Sequence, residues 1–265
     1  MTNSIIGQYY PADSLLHRLD ARLKLFASLV YITMLFTLND VYGFVFTFLC
    51  LSMVIYLSKV PVKYMIKGLK ALIFIIVFTV VLNVFFSTGE KVLFEAWKIR
   101  VTLEGIYITV KMSTRLIMLV VGASILTLTT SPLQLTDAIE FYLKPFSKIG
   151  VPSHEIAMMM TIALRFIPTL LEEMDKIRKA QTARGADFDT GGVIKKAKSL
   201  IPLLVPLFVS AFRRADELAI AMEARCYRGG GGRTKMKIMK FEPCDYKGLL
   251  FVCLFTGIII IINIF

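Results

Sequence analysis

Residues 25–38 and 41–57 form one apolar stretch interrupted only by Asn39 and Asp40. A bilayer core is crossed by roughly 20 helical residues at about 1.5 Å each, so this stretch is too long for a single span. Asn-Asp is a turn signal. The pattern predicts two membrane helices joined by a tight turn, the first drawing on residues from Ala21 onward. Further spans are expected over 71–86, over 106–129 and, free of charge, over 248–265.

Composition agrees with a bilayer as the solvent. Apolar residues make up 56% of the 265 and charged ones 19%, and mean hydropathy is +0.69; soluble domains carry about 25% charged residues. Disorder, a disulfide scaffold and a cytosolic enzyme core are all disfavoured. The net charge of +12 fits cytoplasmic loops of a membrane protein better than nucleic-acid binding. Cys50 and Cys253 lie in apolar runs, Cys226 and Cys244 in polar ones, no CxxC occurs, and only His17 and His154 add imidazole. A zinc site is therefore not expected. The first two dozen residues are polar, so no cleaved signal peptide is expected.

Basic residues set the orientation. Arg18, Arg22 and Lys24 precede the first span, and Lys59, Lys63, Lys67 and Lys70 lie between the second and third without an acid. The first turn has no basic residue, and the loop over 87–105 balances Lys91, Lys98 and Arg100 against Glu90, Glu95 and Glu104. The N-terminus is expected inside and the C-terminus outside, consistent with five spans. Lys111 and Arg115 share a face of the fourth span. They either face the protein interior or snorkel toward the outer interface, or else meet a partner subunit or polar cavity.

The chain thus divides into 1–130, with four spans, a long segment over 131–247, and a last span over 248–265. Within the segment a short amphipathic helix is expected over 136–146, broken by Pro145 and by Gly150-Val151-Pro152. A long helix capped by Ser153 follows to about Arg184, kinked at Pro168. A second runs over 193–225 and ends at the glycines over 229–232. Its apolar part over 200–212, interrupted by prolines, is read as packing on the membrane domain or its inner face. The two long helices end alike, in Ala180-Gln181-Thr182-Ala183-Arg184-Gly185 and Ala221-Met222-Glu223-Ala224-Arg225-Cys226. Small residues beside a planar, bidentate cation suit a helix tip that enters a groove and meets a carboxylate. The plainer alternative is an arginine that complements the helix dipole in solvent.

No catalytic, cofactor-binding or metal-binding residue is expected. Gly229 to Gly232 precede Arg233 without the lysine of a phosphate-binding loop. Glu172, Glu173 and Asp175 sit among Lys176, Arg178 and Lys179, as on a solvated helix face, and His154 beside Glu155 reads as structural. A membrane-embedded enzyme acting on a lipid or isoprenoid is the alternative function, but these groups support it weakly. A self-sufficient carrier would carry polar or broken helices at mid-membrane, which the second, third and fifth spans lack.

Three stretches carry a family resemblance. Gly7-Gln8-Tyr9-Tyr10-Pro11-Ala12-Asp13-Ser14 precedes His17-Arg18-Leu19-Asp20-Ala21-Arg22-Leu23-Lys24; Ala163-Leu164-Arg165-Phe166-Ile167-Pro168 precedes Gln181-Thr182-Ala183-Arg184-Gly185; and Met222-Glu223-Ala224-Arg225-Cys226-Tyr227 follows. The ordered set resembles the transmembrane (T) component of energy-coupling-factor (ECF) transporters, bacterial importers of vitamins and metal ions. Ala21 stands where a proline is common, and Cys226 replaces the glycine of the second Ala-Arg-Gly motif. The resemblance implies an all-α, L-shaped membrane protein with about five transmembrane helices and a cytoplasmic coupling arm. It implies a non-catalytic subunit of the bacterial cell membrane linking two ATPase subunits to a membrane substrate-binding (S) subunit, with no nucleic acid involved. Ala183, Arg184, Gly185, Ala224, Arg225 and Cys226 would dock on the ATPases, which would carry ATP and Mg. The cargo would be chosen by the S subunit, and a coupler shared among vitamin-binding subunits is preferred over a dedicated cobalt or nickel module.

Overall fold

A computed structural model describes residues 9–86, 92–96, 99–186, 198–229 and 241–264, together with Phe188, Gly192 and Ile194. Gly7 and Gln8 of the opening motif, Val193 and the glycines at 230–232 lie outside the described residues. The chain forms two compact units, one of residues 7–138 and 238–265 and the other of residues 1–6 and 139–237.

The first unit is helical. Helix α1 (Leu15–Arg18) is a single turn whose Ser14 cap accepts from the His17 amide. Helix α2 (Ala21–Thr37) starts at Asp20, which caps the Arg22 amide. The break at Asn39-Asp40 falls where the turn signal placed it, and α3 (Val41–Ser58) follows. Helix α4 (Val62–Phe86) begins nine residues before the expected third span, and bends by 58° between 62–70 and 72–83. Helix α5 (Leu103–Thr129) is capped by Thr102, whose hydroxyl accepts from the Gly105 amide at 3.2 Å. Helix α6 (Pro132–Leu143) follows, and the last helix of the chain spans Pro243–Ile264.

Between α4 and α5, where a plain loop was expected, β1 (Val92–Ala96) and β2 (Ile99–Thr102) form an antiparallel hairpin pairing Glu95 with Arg100. Val92, Leu93 and Phe94 on one strand and Ile99, Val101 and Thr102 on the other are mostly β-branched or aromatic, the residues that favour a pleated ribbon over a loop.

Leu35, Leu51, Met65, Met118, Ile125 and Leu128 form the core of this unit. The Tyr31 hydroxyl donates to the Met118 carbonyl at 3.0 Å, tying α2 to α5. Gly122 makes that approach possible, because a Cβ there would overlap the Tyr31 ring. Large apolar side chains also point outward, among them Phe36, Phe48, Leu49, Phe74 and Phe78. In water such a surface would aggregate; against lipid tails it is the expected exterior.

Four helices among the described residues are long and apolar enough to cross a membrane: α3, α5, α7 (Ser153–Ala183) and the last helix. The bent α4 makes a fifth if counted as one span. Helix α2, with 17 residues, sits at the short end of the spanning range. Helix α7 (Ser153–Ala183) lies in the segment read from sequence as cytoplasmic. Apolar residues dominate 156–171, where Arg165 is the one charge, and charge becomes dense from Glu172.

In the second unit a 3-10 turn over Lys144–Ile149 precedes α7. The short helix expected over 136–146 is instead α6, shifted to begin at Pro132. A capping box sets its start: the Ser131 hydroxyl accepts from the Gln134 amide at 3.3 Å, and the Gln134 side chain accepts from the Ser131 amide at 3.2 Å. Ser153 is not the cap of α7. Pro152 holds that place without a side-chain bond, and the Ser153 amide donates to the Val151 carbonyl at 2.9 Å. Gly150, at φ 94°, turns the chain so that the helix begins directly after Pro152. Helix α7 runs unbroken through Pro168. A turn at Leu200 separates helix α8 (Ile201–Ala224) from the helical Ile194, Lys198 and Ser199 within the expected helix, and Pro202 sits in the first turn of α8, where the missing amide hydrogen costs nothing. The last helix is α9.

Candidate functional site

Helices α7 and α8 end in the same way, bond for bond. In α7 the Gly185 amide donates to the Thr182 carbonyl and the Ala186 amide to the Gln181 carbonyl, each at 3.0 Å. In α8 the Cys226 amide donates to the Glu223 carbonyl at 2.8 Å and the Tyr227 amide to the Met222 carbonyl at 3.0 Å. These are two Schellman motifs, which satisfy carbonyls left open at a helix end. Arg184 and Arg225 occupy the same C-cap position. Gly185 and Cys226 follow in the left-handed region, at φ 88° and 56°.

All six residues expected at the tips, Ala183, Arg184, Gly185, Ala224, Arg225 and Cys226, are exposed. Neither guanidinium has a hydrogen bond or ion pair among the described residues. A helix end carrying an unpaired, five-donor cation flanked by small residues can present that cation to a carboxylate outside the chain.

A clasp that sequence reasoning missed holds the two helices together. Arg214 of α8 donates to Glu173 of α7 at 3.0 Å. The Ser210 side chain hydrogen-bonds the same carboxylate. Glu173 stands eleven residues before Arg184, and Arg214 eleven before Arg225. At 1.5 Å per residue each arm beyond the clasp is about 16 Å long. The clasp also lies where both helices change character: α7 is mostly apolar over 156–171, with Arg165 the one charge there, and α8 is mostly apolar over 201–212. The sequence carried a signal for it, since opposite charges sit at equal distances before the two matched arginines. Glu173 is therefore engaged with the neighbouring helix rather than simply solvated. His154 pairs with Glu140 across 3.2 Å.

In the first unit, charges counted from sequence as loop charges turn out to be buried. The Arg22 guanidinium clamps Asp20, its Nε 3.1 Å from both carboxylate oxygens and an Nη 2.6 Å from one. The guanidinium also lies 4.4 Å over the Phe241 ring. Burial raises the Asp20 pKa, but hydrogen bonds from the Arg22 side chain and amide, with the charges of Arg22 and Lys24, outweigh it and hold the carboxyl below its ordinary range. Asp245, almost wholly buried, accepts from the Asp20 and Glu242 amides, each at 2.8 Å. Lys24 donates to the Thr129 carbonyl at 3.0 Å. Lys111 and Arg115 both reach the α2–α3 turn: Lys111 donates to Asn39 at 3.2 Å, and Arg115 to the Leu38 carbonyl. The Arg115 guanidinium sits 5.7 Å from the Phe44 ring. Within this chain, the two cations therefore fasten the turn.

The family model described as a cobalt transport protein, CbiQ, matches residues 12–238. Proteins named energy-coupling factor transporter transmembrane protein EcfT are similar over most of the chain. The one from Clostridium kluyveri is 56% identical over 242 residues, covering 91% of this chain and 90% of its own. That from Thermosediminibacter oceani is 55% identical over 245 residues, 92% of each, and that from Lactococcus lactis 42% over 261 residues, 98% of each. This chain belongs to the family of ECF transporter transmembrane components. The ECF component is thus an all-α integral membrane protein of a transporter, crossing the membrane several times, and the family resemblance read from the ordered motifs is correct. Cys226, where the family motif has glycine, adopts the left-handed conformation that glycine would take freely.

Proposed function

We propose that this ECF component is the mechanical link of an ATP-driven importer, plugging Arg184 and Arg225 into one groove on each of two cytoplasmic ATPase subunits. The observation that carries this reading is the pair of matched, exposed arginine caps without partners among the described residues. ATP and Mg would be bound by the ATPases. Closure of the ATPases on ATP would bring the tips together, and the clasped helices would tilt or slide as a pair. Their apolar halves would pass this motion to a membrane S subunit that holds a vitamin or other micronutrient, which reorients and releases it inside. In this reading the N-terminus and the coupling segment are cytoplasmic, in a bacterial cell membrane, and one coupler serves several S subunits.

Truncating a charged partner at a docked interface costs about 2–5 kcal/mol. Arg184→Ala and Arg225→Ala are each expected to lower uptake by membranes containing the full complex, and the double variant to abolish most of it. Wild-type uptake by an assembled double variant would overturn the docking assignment.

A further inference from the structure

Helices α2 and α9 run parallel and are pinned at both ends. At their starts the Asp20 amide donates to Asp245 at 2.8 Å, and at their far ends the Asn263 side chain donates to the Thr37 carbonyl at 3.0 Å. Between these pins, and against α1, α3 and α5, lies a cavity of about 350 Å³. Its walls are apolar, with Leu16, Leu23, Leu51, Ile125, Phe251 and Phe255 among them. Ala27 and Ser28 on α2 are small residues in its wall, and Gly248 on α9 lets Leu23 and Leu19 pack close against that helix. Tyr31 and Phe255, their rings stacked with centroids 6.2 Å apart, face it at its deep end.

Its other end is cationic. Lys24 lines the cavity and is 9% exposed. Its ammonium has three donors, of which the Thr129 carbonyl takes one at 3.0 Å and the His17 carbonyl a second at 3.4 Å. The third has no partner among the described residues. Lys247, also lining the cavity, is exposed and unpaired among the described residues. The nearby acids are engaged: Asp20 is clamped by Arg22, and both Asp245 oxygens accept backbone amides. Exposed Phe241 and Tyr246 flank this end, as aromatic residues do at a membrane–water boundary. Seven residues separate Lys24 from Tyr31 and eight separate Lys247 from Phe255, so the slot is about 10–12 Å deep. Neither water nor vacuum suits such a space, since an apolar void forfeits dispersion contacts and offers water few partners.

From this geometry we infer a binding site for one anionic glycerophospholipid of the leaflet at which α2 and α9 begin, with an acyl chain in the slot between the two helices and its phosphate at Lys24 and Lys247. The inference goes beyond the coupling reading and does not depend on ATPase docking. The bound lipid completes the packing of the α2–α9 pair, and its headgroup supplies the oxygen that the buried Lys24 ammonium lacks. A single surface cation near an anionic headgroup contributes about a fivefold preference.

The test is native mass spectrometry of the full chain in mild detergent, offered phosphatidylglycerol and phosphatidylcholine of identical chains at equal concentration. One phosphatidylglycerol is expected to stay bound, at least about fivefold more often than phosphatidylcholine. Lys247→Gln should remove that preference and Lys247→Arg restore it. Ala27→Leu, which fills the slot and leaves every charge, should abolish retention of both lipids. Lysophosphatidylglycerol should compete fully, because only one chain enters. Equal retention of the two phospholipids by the wild type, retention unaffected by Ala27→Leu, or a slot closed by a polypeptide segment would each overturn the inference.

Discussion

The two helix tips share one backbone geometry but not one residue at its most demanding position, which allows a reciprocal experiment. A non-glycine residue in the left-handed region costs about 1–2 kcal/mol. Part of what glycine recovers there is lost again through its freer unfolded chain, about 0.4–1 kcal/mol. Cys226, at φ 56°, therefore carries strain that Gly185, at φ 88°, does not. Nothing lies within 4 Å of a Cβ built on Gly185, so the strain in Gly185→Cys would be that of the backbone alone. The expected net effect is about 1 kcal/mol, stabilising for Cys226→Gly and destabilising for Gly185→Cys. The effect is local, so the readout is amide hydrogen exchange at the closing bonds rather than global melting. Exchange of the Tyr227 amide should slow by about fivefold in Cys226→Gly, and that of the Ala186 amide should quicken by a similar factor in Gly185→Cys. Unchanged exchange at both amides would refute the shared-motif reasoning.

Three further outcomes follow from the same structure. Arg214→Ala removes the partly exposed clasp to Glu173; ATPase binding by each tip should persist while uptake per ATP hydrolysed falls, measured in reconstituted vesicles. Because the Asp20 carboxyl is held below its ordinary range, its contribution to stability is complete above about pH 4 and is lost as pH falls through the lowered value. Acid unfolding followed by circular dichroism should therefore lose that component in Asp20→Asn. Gly122→Leu would drive a side chain into the Tyr31 ring and should lower thermal stability by several degrees, with wild-type melting counting against the close α2–α5 contact.

Much of the fold was legible because lipid imposes long apolar runs, and the Asn39-Asp40 interruption located the α2–α3 turn to the residue. The tips were legible because a repeated Ala-x-x-Ala-Arg pattern survives in the linear chain. What escaped was pairing across distance. Arg22 and Lys24 read as loop charges because a count of basic residues does not register that Asp20, Asp245 and the Thr129 carbonyl await them. Glu173 was lost among neighbouring charges whose partner lies 41 residues away. The capping box at Ser131 and Gln134 was present in the sequence, and its spacing alone would have moved the start of α6 to Pro132. The hairpin before α5 was missed because two short strands between membrane helices leave little periodicity to read.

The thiol beside the second arginine reports directly on whether the tips seat in partner ATPases. Cys226 is exposed and stands immediately after Arg225. With Cys50, Cys244 and Cys253 replaced by serine, a membrane-impermeant maleimide should label Cys226 in inside-out vesicles containing this chain alone. Labelling should fall by an order of magnitude once both ATPase subunits are bound. Undiminished labelling in a complex verified by co-purification would show that the second tip is not seated in an ATPase groove.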